Sequence, residues 1–480
     1  MIRIYLDWNM ISYLKKPEFA DVITFITDHR ERFLFLYADA HFGDLMKSYS
    51  VDNPYFEQDL DMLDQLCANY FIGWEKERAV GYAVRPKDYF TRNYQNKDKL
   101  NYFDMDELVK LFDETGDDIG MGGLGKQFKE LFSALPAAIE INNTNREQLS
   151  KFFPGITEDS TQWDLFKASG KMLEQMAGDK EYYKDLRKSI ADNGFDLGKN
   201  AGNWKAEDVI ANIDAYLAKS APGLDFMGYM NKAFSLRNEK PDGMTFFTSC
   251  YNTLDLLGFK TDKLPKKTDT PMNIQYDAQH AFFAGHCDFF VVADKNLAVK
   301  SKVLYSKFNL KTKIVSPQEM VEELRQVIHT PQGKLNGYEL LNSALSVFNT
   351  ADDRQDFPEQ QTDGGEAYSK RLNVFFLDYF NLVWLQGYPV EKKIELTFYK
   401  RPENFQRFLY YAELETIIFK MAKYLGWTLK EDEINECVRK NDPIAIKVDY
   451  DFGYILIDYE EHQGINQPTL TFGLYTERLQ

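Results

Sequence analysis

Two short, largely apolar runs lie far apart in the chain, Ile2 to Leu6 and Phe289 to Ala293, the latter opened by Asp288, and each leads straight into an aspartate, Asp7 and Asp294. A strand that is apolar throughout, rather than at every second residue, is buried on both faces, which demands a parallel sheet with helices above and below it. The flanking segments keep that rhythm. Phe19, Val22, Ile23 and Ile26 give Phe19 to Arg30 a helical period, Phe33 to Ala38 is another apolar run, and Ala40 to Tyr49 is compatible with a helix. The alternation returns with helices expected over Met244 to Leu257, Asn273 to His286, Asn296 to Phe308 and Pro317 to Val327, and a strand over Thr312 to Val315.

These blocks read as the two halves of one α/β domain, residues 1–52 and 244–330. Residues 53–243 carry long polar segments with helical spacing, such as Phe56 to Tyr70, Asp104 to Glu114 and Gln127 to Leu135, and read as a helical insertion punctuated by glycines. Gly120 to Lys126 has the spacing of a phosphate-binding loop, but Gln127 stands where a Ser or Thr is needed, and the segment reads as an inter-helix loop. The polar stretch Asn349 to Ser369 reads as an exposed linker. Residues 331–480 form a further α+β domain: Ile394, Leu396 and Phe398 alternate with polar residues, as do Ile444, Ile446, Val448 and Tyr450, then Thr469 to Tyr475, with a helical stretch over Pro402 to Leu425. A length of 480 residues agrees with two to four folding units.

No run approaches the roughly 18 uncharged apolar residues of a membrane span, and the first residues lack a signal-peptide pattern, so a cytoplasmic protein without membrane partners is expected. Cys67, Cys250, Cys287 and Cys437 are scattered, which supports neither a disulfide framework nor a cysteine zinc site. The net charge of -17 argues against indiscriminate nucleic-acid binding, although Phe259 to Ile314 holds ten Lys against five Asp, a local balance of +5.

Ligands of open parallel sheets bind beyond the carboxyl ends of the strands, where Asp7 and Asp294 fall. Asp44, one turn into the helix after the second strand, and Asp277, at the start of the helix feeding a later strand, can join them. Four carboxylates in one cleft repel unless cations lie between them. Oxygen ligands of this kind suit Mg²⁺ or Mn²⁺, and a pair of such ions about 3.5–4 Å apart supports in-line phosphodiester displacement.

Leu6-Asp7-Trp8-Asn9 followed by Ile11-Ser12-Tyr13-Leu14 resembles the opening motif of PIN-domain nucleases. Tyr37 to Leu45, which contains Asp44, resembles the second motif, Asp277 to Ala284 the third, and Phe289 to Leu297 the fourth, all in the family's order. The resemblance covers about residues 1–50 and 244–328. It implies a metal-dependent ribonuclease with a parallel sheet of order 3-2-1-4-5, Mg²⁺ or Mn²⁺ held by Asp7, Asp44, Asp277 and Asp294, and RNA as partner. The chain departs from the family in its long insertion and in Ala293, where many members carry part of a Thr-x-Asp or similar pattern.

A single Asp at a strand end is usually a helix cap or turn residue, and only the conjunction of four favours a site. Asn9 either caps a helix beginning at Met10 or bonds a metal-bound water. His41 and His280 lie within a turn of proposed ligands and read as hydrogen-bonding supports, or as groups touching substrate along with Lys295. A different class of reading is a catalytically inactive scaffold that binds RNA or a partner protein through the insertion or the C-terminal domain. A haloacid dehalogenase-like phosphatase also begins from an Asp after strand one, but needs a second Asp where Asn9 stands. Within the nuclease reading, a toxin or anti-phage effector restrained until triggered is the expected role.

Overall fold

The structure is a computed structural model that describes residues 1–47, 54–94, 129, 133–137, 141, 146–192, 201–220, 223–235, 240–263, 271–329, 336–353, 360–362, 365–400, 410–428, 430–440, 442–462 and 465–478. The expected helix Asp104 to Glu114, the Gly120 to Lys126 loop and most of Gln127 to Leu135 lie outside these residues.

The chain begins with β1 (Ile2–Leu6), α1 (Trp8–Tyr13), α2 (Ala20–Asp28), β2 (Phe33–Leu36), α3 (Asp39–Lys47) and α4 (Pro54–Cys67). A hairpin, β3 (Tyr70–Glu75) and β4 (Arg78–Ala83), follows, then α5 (Pro86–Asn93), α6 (Arg146–Phe152), α7 (Gln162–Gly178), α8 (Lys180–Ile190), α9 (Val209–Ser220) and α10 (Phe226–Ser235). The α/β rhythm resumes with α11 (Gly243–Leu256), α12 (Met272–Ala284), β5 (Phe289–Val291), α13 (Lys295–Lys307), β6 (Lys313–Val315) and α14 (Met320–Val327).

β1, β2, β5 and β6 form a parallel sheet, in the order β2-β1-β5-β6; among the described residues it has four strands, where the order 3-2-1-4-5 expects five. Both faces are covered, which explains why the strands are apolar apart from Arg3 of β1 and Lys313 of β6. Tyr5, Leu34, Leu36 and Phe290 face the core built by α11, α12 and α13. Ile2, Ile4, Leu6, Phe33, Phe35 and Phe289 face the opposite core, with α1, α2, α4 and α14.

The insertion is not wholly helical. Beyond β2, Tyr37 bridges Phe71 of β3 in parallel: its N–H donates to Tyr70 O at 3.1 Å, and Ile72 N–H donates to Tyr37 O at 2.8 Å. The hairpin therefore caps the outer edge of β2. Its turn residues Lys76 and Glu77 have φ of 47° and 64°, values usually supplied by Gly or Asn, so no turn signature marks it in the sequence. Phe56, Leu60, Leu63, Phe71 and Phe90 share the core of β1, and the first body thus extends past residue 52.

The rest of the chain runs α15 (Gly337–Asn349), β7 (Asp352–Asp353), β8 (Gln360–Thr362), β9 (Gly365–Phe376), β10 (Phe380–Tyr388), β11 (Lys393–Tyr399), α16 (Tyr411–Leu425), α17 (Glu431–Lys440), β12 (Ile444–Tyr450), β13 (Gly453–His462) and β14 (Ile465–Tyr475). Its antiparallel sheet has the order β12-β13-β14-β11-β10-β9-β7, with β8 paired to β9. Part of the stretch expected as a linker is thus strand, because β9 starts at Gly365 and pairs with β10 from Ala367 to Arg371.

This second sheet body is fastened to the amino ends of β1 and β5. Arg3 N–H and Lys400 Nζ both donate to Asp288 Oδ2, at 2.8 and 2.7 Å, and Tyr410 Oη donates to Phe71 O at 2.8 Å. The opposite ends of the same strands point to the acids. Among the described residues no helix is long and apolar enough to cross a membrane.

Candidate functional site

Asp7 is the N-cap of α1: its Oδ1 accepts from Met10 N at 2.6 Å. Its Oδ2 accepts from Ala293 N at 2.9 Å, which ties the end of β1 to the loop after β5. Burial pushes this carboxyl up to about 6, against the pull of the Met10 and Ala293 donors. The cap is thus Asp7, and Asn9 is exposed on the first turn rather than capping a helix at Met10. Asp294 caps α13, its Oδ1 accepting from Asn296 N at 2.7 Å and Leu297 N at 2.9 Å, with Lys295 exposed beside it.

Asp44 lies on the buried side of α3, bonded to Lys47 and to His280 Nε2, the latter at 2.9 Å. Burial works against its charge, but Lys47 and His280 outweigh that and hold it at about 2. His280 Nδ1 accepts from Tyr5 Oη at 2.9 Å, so a chain of hydrogen bonds runs from β1 through α12 to α3. His41 Nε2 donates to Leu6 O at 3.0 Å while its Nδ1 accepts from Ala38 N at 3.1 Å. Both histidines act as fully buried supports.

Burial, aided by the adjacent His280 ring, lowers His41 from the ordinary 6.5 to about 3. A histidine held neutral in the fold contributes stability above pH 6.5 that is lost as pH falls from about 6.5 toward 3. Between pH 7 and 5 the loss is about 2 kcal/mol. Melting temperatures should therefore fall more steeply over that range in the wild type than in His41→Gln. Parallel curves would show that His41 carries no such penalty.

Asp277 lies on α12, one turn before His280. It is half-buried and, among the described residues, has no hydrogen bond or ion pair. Burial first, then Asp262, Asp44 and Asp294, raise its carboxyl well above the usual range, while Lys300 opposes them. Asp44, Asp277 and Asp294 therefore share one electrostatic neighbourhood, to which Asp262 also belongs. They do not form a ready ligand set: among the described residues no group of three or more His, Cys, Asp or Glu is placed to hold a metal ion. Of the four expected ligands, three carboxylates already have hydrogen-bond or ion-pair partners, while Asp277 has none among the described residues. The reason is local, since backbone donors occupy Asp7 and Asp294, and Lys47 with His280 occupy Asp44.

Beside Asp277 lies a polar node that the motif pattern does not reveal. Lys300, fully buried on α13, donates to Asp255 Oδ2 at 3.2 Å and Asp262 Oδ2 at 3.1 Å. Asp255 also accepts from Tyr183 Oη at 3.0 Å and Arg187 at 3.1 Å, which pins α8 of the insertion against α11. Lys300 is thus an internal counter-ion, not a member of the surface lysine patch. A signal for it existed: Phe247, Tyr251 and Leu254 set an apolar stripe on which Asp255 falls, and Leu297 and Leu304 bracket Lys300 likewise. A groove of about 900 Å³ lined by Tyr13, Phe19, Phe25 and Val321 contains none of the acids, and the chemistry does not follow it.

In comparison with known proteins, no family model, no curated protein and no solved structure matches the chain.

Proposed function

We propose that this chain is a PIN-like, metal-dependent phosphodiesterase that cleaves RNA at the carboxyl edge of its parallel sheet. The observation that carries this reading is Asp277, a half-buried carboxylate with no partner among the described residues, in the field of Asp44, Asp294 and Asp262. Ionising a buried carboxyl without a partner is costly, and a bound cation would offset that cost. The donors nearby are carboxylate oxygens, which fit Mg²⁺ or Mn²⁺, with Asp277 and Asp294 as the holders and Asp7 and Asp44 shaping the site. Such an ion supplies Lewis-acid stabilisation of a phosphoryl group and an activated water. The chain's own part is orientation: Asp7 fixes the spacing of β1 and the β5 loop, and the Tyr5-His280-Asp44 relay fixes α3 against α12.

A second reading has a specific observation in its favour. Asp44 is already neutralised by Lys47, as expected of a silent scaffold that binds RNA or protein without cutting. Incubation of labelled single-stranded RNA with Mn²⁺ separates the two. The nuclease reading expects cleavage by the wild type and a loss of more than about 100-fold in Asp277→Asn and Asp294→Asn. Equal, low activity of wild type and variants leaves the scaffold reading.

A further inference from the structure

Ile23 and Ile26 stand one turn apart on α2, and Arg30 follows a turn further on, just past the end of the helix. With Met62 and Leu66 of α4 and Leu14, the residue that ends α1, they line a groove of about 590 Å³. None of the four acids lines it. Small-molecule sites have this size and this character, mostly apolar with a few polar groups that fix the ligand.

Arg30 is the group in this groove that the fold leaves unanswered. It is half-buried, and its Nη1 is shut off from water without a hydrogen-bond partner. Its guanidinium carbon lies 5.5 Å from the centre of the Phe35 ring, and among the described residues no carboxylate pairs with it. Burial lowers its ordinary value, opposed by the Cys67 thiol and the Tyr70 phenol rather than by an acid. The other charges along the groove are answered, since Lys15 pairs with Asp59 and Asp61 pairs with Lys87. One positive charge is therefore left over beside an apolar lining, and a cation removed from water calls for a counter-charge.

Charge and shape together select the occupant. The planar fork of a guanidinium matches a carboxylate through two parallel hydrogen bonds. One carboxylate restores neutrality, whereas a phosphate monoester brings a charge of about -1.5 to -2 and overshoots it. A hydrocarbon body attached to that head then covers the isoleucines, Met62 and Leu66. We propose that this groove binds a small amphiphilic carboxylate, with its head on Arg30 and its hydrocarbon between α2 and α4. The site is separate from the cation chemistry proposed above and does not depend on it. Because Leu14 ends the helix that Asp7 caps, an occupant braces α1 against α2 and α4.

The probe is octanoate, titrated calorimetrically into the full chain, with octanol as the neutral control and thermal melting alongside. Octanoate is expected to bind once per chain, and octanol about 10-fold more weakly or worse. Arg30→Met is expected to weaken octanoate about 10–100-fold, the worth of charge-assisted hydrogen bonds. The same change should leave the ligand-free melting temperature unchanged or higher, because it removes a half-buried cation that has no counter-ion. Arg30→Lys, which keeps the charge and loses the fork, should fall between the two. A purely structural arginine would give lower ligand-free melting with unaltered affinity, and that result overturns the proposal. So does a wild type that takes up no octanoate at millimolar concentration, or one that binds octanol equally well. Tighter binding of a short peptide with a free carboxyl terminus than of octanoate gives the groove to a protein partner and overturns the small-molecule occupant.

Discussion

Glu413→Ala is expected to destabilise the chain by about 3–5 kcal/mol, because it breaks a buried ion pair by removing its carboxylate. Arg3 projects from β1 to Glu413 of α16, with 2.8 Å between Nη2 and Oε2, and the two side chains are 2% and 0% exposed. Burial works against both charges, yet their mutual attraction prevails: Arg3 is held above its ordinary value and Glu413 down at about 2. Because the folded value of Glu413 is depressed, its contribution is present above about pH 4.5 and drains away as pH falls from there toward 2. Urea unfolding at pH 7 reads the effect directly. The double variant Arg3→Met with Glu413→Leu should regain most of the loss, since a matched apolar pair carries no desolvation penalty. A loss below about 1 kcal/mol for Glu413→Ala would place the pair in water, as exposed ion pairs have that worth. The pair matters beyond stability. Arg3 and Asp288 stand at the feet of β1 and β5, the strands whose heads lead to Asp7 and Asp294, so the second sheet body grips the two strands that aim the proposed site.

The strands and the order of the acids were legible because they depend on local pattern: apolar runs of buried strand length, each followed by Asp, separated by helical periods. What the acids do was not legible from that pattern. Asp7 is at once a helix cap and a strap across the sheet, and Asp294 is at once a cap and a neighbour of Asp277, so the ordinary and the functional readings of one residue coexist. The β3–β4 hairpin escaped notice because Lys76 and Glu77 adopt left-handed conformations that their side chains do not favour, under the demand of strand pairing. Lys300 and Asp255 were open to detection as charges on apolar helical stripes. Their meaning depends on each other and on Arg187, which comes from the insertion, and such a partnership has no signature in linear spacing.

Gly43→Ala tests the contact that sets the spacing of the site. On α3, a Cβ at Gly43 would lie 2.3 Å from Tyr276 Cε1 and 2.6 Å from Cζ, well inside contact distance. Tyr276 precedes Asp277 on α12 and is 8% exposed, with Lys47 Nζ 4.9 Å from its ring centre, so the ring has little room to tip away. The added methyl must push α12 off α3 or drive the ring toward Lys47, and either movement strains the 2.9 Å bond between His280 and Asp44. Overpacking of this kind costs about 1–3 kcal/mol. Tyr276→Ala alone should cost more, about 3–5 kcal/mol, through the cavity it opens. In the double variant the clash is gone and the methyl partly fills the space, so the combined loss should fall short of the sum by about 1–2 kcal/mol. Strictly additive losses, measured by urea unfolding, would mean that α3 and α12 do not meet through this pair. The approach of Asp44 to His280 would then have to be imposed from elsewhere, through Tyr5 and the strand beneath it.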